Sequence, residues 1–179
     1  MKPTLKLFII GFVATAVPYG LMTYFFEYSD CNCTEDTASV LKILFSATFF
    51  GLLMSVILAK LQTYKMKKAG YPKLNNDMLK LKQVKFVETS LSKNDLFDKL
   101  KESEYFKKCN FKVTPTLIII NKRISWFSWG EKITINFNDG DNRIKIESKP
   151  TMPATLIDYG VNLTNVDNVI KIINKVDAV

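Results

Sequence analysis

The chain has 179 residues, 47% of them hydrophobic, with a mean hydropathy of +0.05 and a formal net charge of +8. It holds no histidine, three cysteines and seven dispersed glycines, which removes histidine-based triads, HExxH zinc sites, four-cysteine zinc sites and glycine-rich phosphate loops from the chemistries it can run. So high an apolar share beside 23% charged residues requires the apolar residues to be unevenly spread.

Residues 5–26 carry one charge, Lys6, and residues 38–59 carry one, Lys42. At about 1.5 Å per residue each run reaches across a hydrocarbon core of about 30 Å. Neither run shows the polar stripe of a buried core helix. The spacing predicts transmembrane helices over about 5–26 and 38–60, joined as a hairpin over residues 1–62. A cleaved signal peptide is the competing reading of the first run, given its basic start and Ala14-Thr15-Ala16. Against it, the apolar stretch runs on through Val17, Leu21, Met22, Phe25 and Phe26, and no lipobox-like pattern precedes Cys31. Pro18 is expected to bend the first helix.

Lysines set the orientation. Lys2 and Lys6 flank the first run on its N-terminal side, and Lys60, Lys65, Lys67, Lys68 and Lys73 follow the second run, whereas the intervening loop holds Glu27, Asp30, Glu35 and Asp36. Positive residues beside short loops stay on the cytoplasmic side, so both termini are expected in the cytoplasm. Residues 60–85 carry eight lysines against Asp77 alone, and beyond them fourteen basic residues nearly balance twelve acidic ones. A basic segment of this kind, over a linker at 63–83, suits anionic lipid headgroups; a purely topological role is the alternative. The outer pair Cys31 and Cys33 is a candidate disulfide or redox site, or a simple loop staple. Ala47, Gly51, Ser55 and Ala59 recur every fourth residue and allow close helix packing, within the hairpin or with a second copy in a homodimer.

Residues 84–179 read as a cytoplasmic α+β domain: an antiparallel sheet with two helices, so the whole is a membrane-anchored α+β protein. Strands are expected at 84–88, 111–121, 123–129, 132–137, 144–147 and 154–157, with a hairpin turn at Asp139-Gly140. Ser92 is the expected cap of a helix from Lys93 to about Ser103, and Thr164 with Asp167 resembles a capping box for a terminal helix. Cys109 reads as a small buried hydrophobe. Trp126, Phe127 and Trp129 fit either packing or a ligand or partner surface. Asp158, Tyr159 and Asn162 fit either that surface or a capped helix entrance in which Gly160 allows the turn.

The stretches SWGEKITINF, IESKP and DYGVNLTNV together resemble a C-terminal pattern of uncharacterised small bacterial membrane proteins that place an α+β domain after a two-helix transmembrane hairpin. The likeness covers about the last third of the chain. It implies a bacterial origin, and with it an inner-membrane location with both termini cytoplasmic, and a true domain; it carries no catalytic residue across. The expected function is a non-enzymatic, membrane-anchored binding or scaffolding role with membrane lipids and a protein as partners, without nucleic acid, metal or cofactor. Two alternatives stand beside it: an enzyme or lipid-handling protein that uses Glu131 or Asp158 on a membrane-associated substrate, and an accessory protein whose partner binds the hairpin.

Overall fold

The computed structural model describes residues 2–29, 37–125, 128–137 and 143–177. Cys31, Cys33, Trp126, Phe127 and the turn expected at Asp139-Gly140 lie outside the described residues. The chain forms two compact units that meet in sequence between Asn76 and Asp77.

The first unit is an antiparallel helix pair, α1 (Pro3–Ser29) and α2 (Thr37–Lys68). Both are long and apolar enough to cross a membrane, and large apolar side chains stand exposed around them rather than packed. Five hydroxyls, those of Thr15, Thr23, Ser46, Ser55 and Thr63, donate to carbonyl oxygens of their own helix. That is how a polar side chain is satisfied where water is scarce. Small residues set the contact: Gly11 lies against Ser55, Gly20 against Ala47 and Gly51 against Ala16. A Cβ on Gly51 would stand 2.5 Å from the Ala16 methyl and 3.1 Å from the Phe12 ring. Gly51→Leu is therefore expected to weaken the pair by about 1–3 kcal/mol, seen as a lower SDS fraction at which energy transfer between dyes on the two helices is lost. The second helix runs on through Lys60, Lys65, Lys67 and Lys68, so the first six residues of the segment expected as a linker, 63–68, are helical. Lysines near a helix C-terminus are favoured by its dipole.

The second unit is a five-stranded antiparallel sheet, order β1-β5-β4-β3-β2, with both helices on one face. Its elements are β1 (Gln83–Glu88), α3 (Lys93–Glu102), β2 (Asn110–Val113), β3 (Leu117–Lys122), β4 (Glu131–Phe137), β5 (Arg143–Pro150) and α4 (Val161–Asp177). Strands β2 to β5 form a meander, and β1 returns to the free flank of β5. Alternation places Ile118 and Ile120, Ile133 and Ile135, and Ile144 and Ile146 on one face, against Leu96, Leu100, Val166, Val169 and Ile173. Ser92 caps α3 by accepting from the Asp95 amide.

Four expectations are corrected. The segment 111–121 is a hairpin of two strands, because Pro115 gives no ladder donor and favours a turn, where the Leu117 amide donates to Thr114 Oγ1. Residues 123–125 and 128–129 belong to a loop closed by Ser125 and Ser128, not to a strand. Residues 154–157 form no strand either: both flanks of β5 are occupied by β1 and β4, and the Thr155 amide turns back to the Met152 carbonyl. Finally, α4 starts before Thr164, whose hydroxyl donates to the Gly160 carbonyl from inside the first turn.

Candidate functional site

The isoleucine rows of the core face stop together at one end of the sheet. Continuing each strand by two residues replaces Ile120 with Lys122, Ile133 with Glu131 and Ile146 with Ser148, and Lys122 and Glu131 are direct cross-strand partners. Three adjacent strands thus turn polar beneath the start of α4.

Asn162, in the first turn of α4, joins the parts. Its Oδ1 accepts from Ser148 Oγ at 2.6 Å, and its Nδ2 donates to Asp158 Oδ1 at 2.6 Å. Its backbone amide donates to the same carboxyl at 3.1 Å, so Asp158 caps the helix from outside. One turn on, Asn165 Nδ2 donates to Ser148 Oγ at 3.1 Å. Asn165 Oδ1 accepts from Tyr105 Oη at 2.8 Å and from Lys122 Nζ at 2.9 Å. The Lys122 ammonium also lies 4.1 Å from the centre of the Tyr105 ring, a cation–π contact. Glu131 accepts from Ser128 Oγ. Gly130, between them, takes φ +88°, and a Cβ there would meet the Lys122 carbonyl at 2.9 Å, so glycine is required. Tyr159 holds φ +50° in the turn into α4, strain a non-glycine residue tolerates only where its surroundings fix it.

Burial governs the electrostatics. Asp158 is 6% exposed. Desolvation pushes its carboxyl up to about 8 against the pull of the two Asn162 hydrogen bonds, and the charge of Glu131 adds to the rise. Desolvation likewise raises Glu131, partly offset by Lys122. The Cys109 thiol is raised by burial first, with Lys122 acting against it and Glu131 with it, so it is a poor thiolate nucleophile.

Ser128, Glu131, Asp158 and Asn162 border a cavity of about 10 Å³, with Trp129 at its margin. Such a space holds about one water. As arranged, the two carboxyls act on each other through their charge, Asp158 bonds to the helix start and Glu131 to Ser128, and a space of about 10 Å³ leaves a substrate no room between them. Asp158 and Asn162, read from sequence as either surface or helix cap, act as cap and brace and point inward. Tyr159 is half-buried, and its hydroxyl is raised by burial. Trp129 is the outward residue of the set, at 60% exposure. Sequence reasoning passed over Lys122, Ser148, Asn165 and Tyr105. The signal for the first two was present: each occupies an isoleucine phase of its strand. Among the described residues no cluster of acidic or cysteine side chains could hold a metal ion.

No family model matches this sequence, and no curated protein or solved structure is significantly similar to it.

Proposed function

We propose that the protein is a membrane-anchored, non-enzymatic binding or scaffolding module, held by α1 and α2 with both termini in a bacterial cytoplasm and offering its α+β domain to a protein partner. The observation that carries the reading is the closed polar site. Of the domain's desolvated carboxyls, Asp158 holds the start of α4 and Glu131 takes the Ser128 hydroxyl of the β3–β4 loop, and the space they border is about 10 Å³, far below the roughly 300–1,000 Å³ typical of small-molecule pockets. The anchoring part rests on the two apolar helices with their self-satisfied hydroxyls and on the lysines that end α2.

The test is photocrosslinking in cells that produce the chain. A photoreactive side chain at Lys112, on the edge strand β2, is expected to yield a discrete protein adduct. The same group at Leu44, exposed on α2, is expected to yield lipid adducts alone. Protein adducts confined to Leu44 would overturn the reading and favour a partner bound by the hairpin.

A further inference from the structure

The face of the sheet opposite the helices is charged unevenly. Register places Lys149 directly opposite Lys132, a like-charge cross-strand pair that costs stability. Lys82 lies just before β1 in the same outward phase, since Gln83 pairs with Ser148. Lys82, Lys145 and Lys149 converge on one carboxylate, Glu147, at 3.0, 3.6 and 3.9 Å. Partial burial pushes that carboxyl up, but the Lys82 hydrogen bond and the three ammonium charges outweigh it and hold the group below its usual range. A single carboxylate leaves most of this cationic cluster unneutralised. The domain's near-balance of charge therefore conceals a basic outer face.

Beside this row the same end of the sheet exposes apolar side chains. Ile124 (70% exposed) and Trp129 (60%) sit in the β3–β4 loop, and Leu156 (56%) and Met152 (43%) follow β5. The loops are tied together, for the Thr151 amide donates to the Gly130 carbonyl at 2.9 Å. The chain arriving from α2 enters β1 at this end too, because the first residue of β1 pairs with the end of β5. Fourteen residues separate Lys68 from Gln83, a tether that reaches at most about 50 Å.

From this juxtaposition we infer that the end of the domain carrying the Lys82–Lys149–Lys132 row and the Ile124, Trp129, Met152 and Leu156 side chains docks on an anionic lipid bilayer, ammoniums on headgroup phosphates and the loops in the interface. Tryptophan beside aliphatic residues suits that boundary, where one side is apolar and the other wet. The tether keeps the local concentration of bilayer high, so a modest intrinsic affinity suffices. Single-stranded nucleic acid is the competing occupant of a basic sheet face, but it needs aromatic platforms on the central strands. Here those strands offer Thr134, Asn136, Leu117 and Ile119 on the outer face, and Phe86 lies on the edge strand with the Arg143 guanidinium 5.5 Å from its ring centre.

The inference rests on the anchoring proposed above and on no other part of that reading. The full chain is reconstituted in phosphatidylcholine vesicles with and without phosphatidylglycerol, and tryptophan quenching by lipids brominated near the headgroup is read. Quenching is expected with phosphatidylglycerol, with release by high salt, and loss of the larger part of it in Trp129→Phe. At about 1 kcal/mol per lysine and tenfold per 1.4 kcal/mol, Lys132→Ala with Lys149→Ala lowers the docked-to-free ratio about 30-fold. A urea midpoint that holds or rises, as expected when the repulsion of this exposed like-charge pair is removed, shows that the fold is intact. A chain that fails to float with the vesicles would sink the anchoring itself. A chain that floats, yet shows no quenching or quenching indifferent to phosphatidylglycerol and to both lysines, overturns the docking while anchoring stands. Lysine-dependent binding of a labelled oligouridine without quenching overturns it in favour of nucleic acid.

Discussion

Replacing Asn162 with alanine is expected to cost the α+β domain about 3 kcal/mol, among the largest losses available from one polar side chain in this protein. The carboxamide is fully buried and serves two buried partners at once, accepting from Ser148 and donating to Asp158. Truncation leaves the Ser148 hydroxyl without its acceptor and the Asp158 carboxyl without one of its donors, and each orphaned buried group costs about 1–3 kcal/mol. Against a total of about 5–15 kcal/mol for a domain, that is a large fraction. Both tryptophans of the chain, 126 and 129, fall in the second unit, so their fluorescence in a urea titration of the bilayer-held protein reports that unit alone. The Ser148→Ala variant and the double variant complete a cycle, and a coupling energy of about 1 kcal/mol or more between the two positions is expected. A loss below about 1 kcal/mol for Asn162→Ala would mean that the start of α4 is held by its apolar face and that the network is incidental.

How much of this was legible in the sequence depends on the range of the signal. The hairpin helices, the Ser92 cap and the strands around Ile133 and Ile144 follow from period and local chemistry, and the structure has them close to where alternation put them. Failures came where a local pattern lacked a partner. Residues 154–157 alternate like a strand, yet no sheet edge is open to them at that point. Residues 111–121 read as one apolar run because the isoleucines beyond Pro115 mask the turn that it makes. The helix-cap alternative read for Asp158, Gly160 and Asn162 describes their geometry, since the Asp158 carboxyl takes the Asn162 amide. The polar cluster as a whole was not legible. Lys122, Glu131 and Ser148 become neighbours only when the register of three strands is known, and Tyr105 reaches Asn165 across 60 residues of sequence. The lysine row on the outer face was hidden for the same reason: a tally of charges along the chain records balance, while the pleat sorts those charges onto opposite faces.

The domain is expected to lose stability as pH rises from about 5 to about 8, at roughly 1.4 kcal/mol per pH unit from Asp158. Its carboxyl stands at about 8 in the folded protein, against an ordinary value of 3.8, so the native state holds the proton longer than the unfolded chain does. Below the unfolded value both states are protonated and the contribution is full. Between the two values the unfolded chain releases its proton while the native carboxyl keeps it, and stability falls; above the folded value the loss is complete. Glu131 is raised as well and acts in the same direction. Glu147 acts oppositely, because its lowered value supplies stability that disappears only when pH falls through the acid range; it is silent across the window tested. The sum from Asp158 over three pH units is about 4 kcal/mol, measured as the shift of the urea midpoint. Asp158→Asn places a permanently neutral side chain there and is expected to flatten most of the slope, leaving the part due to Glu131. A midpoint that stays level or rises over the same interval in the native sequence would show Asp158 already ionised and solvated in the folded state. The cavity beneath Trp129 would then have to admit bulk water, and the site would have room for a substrate.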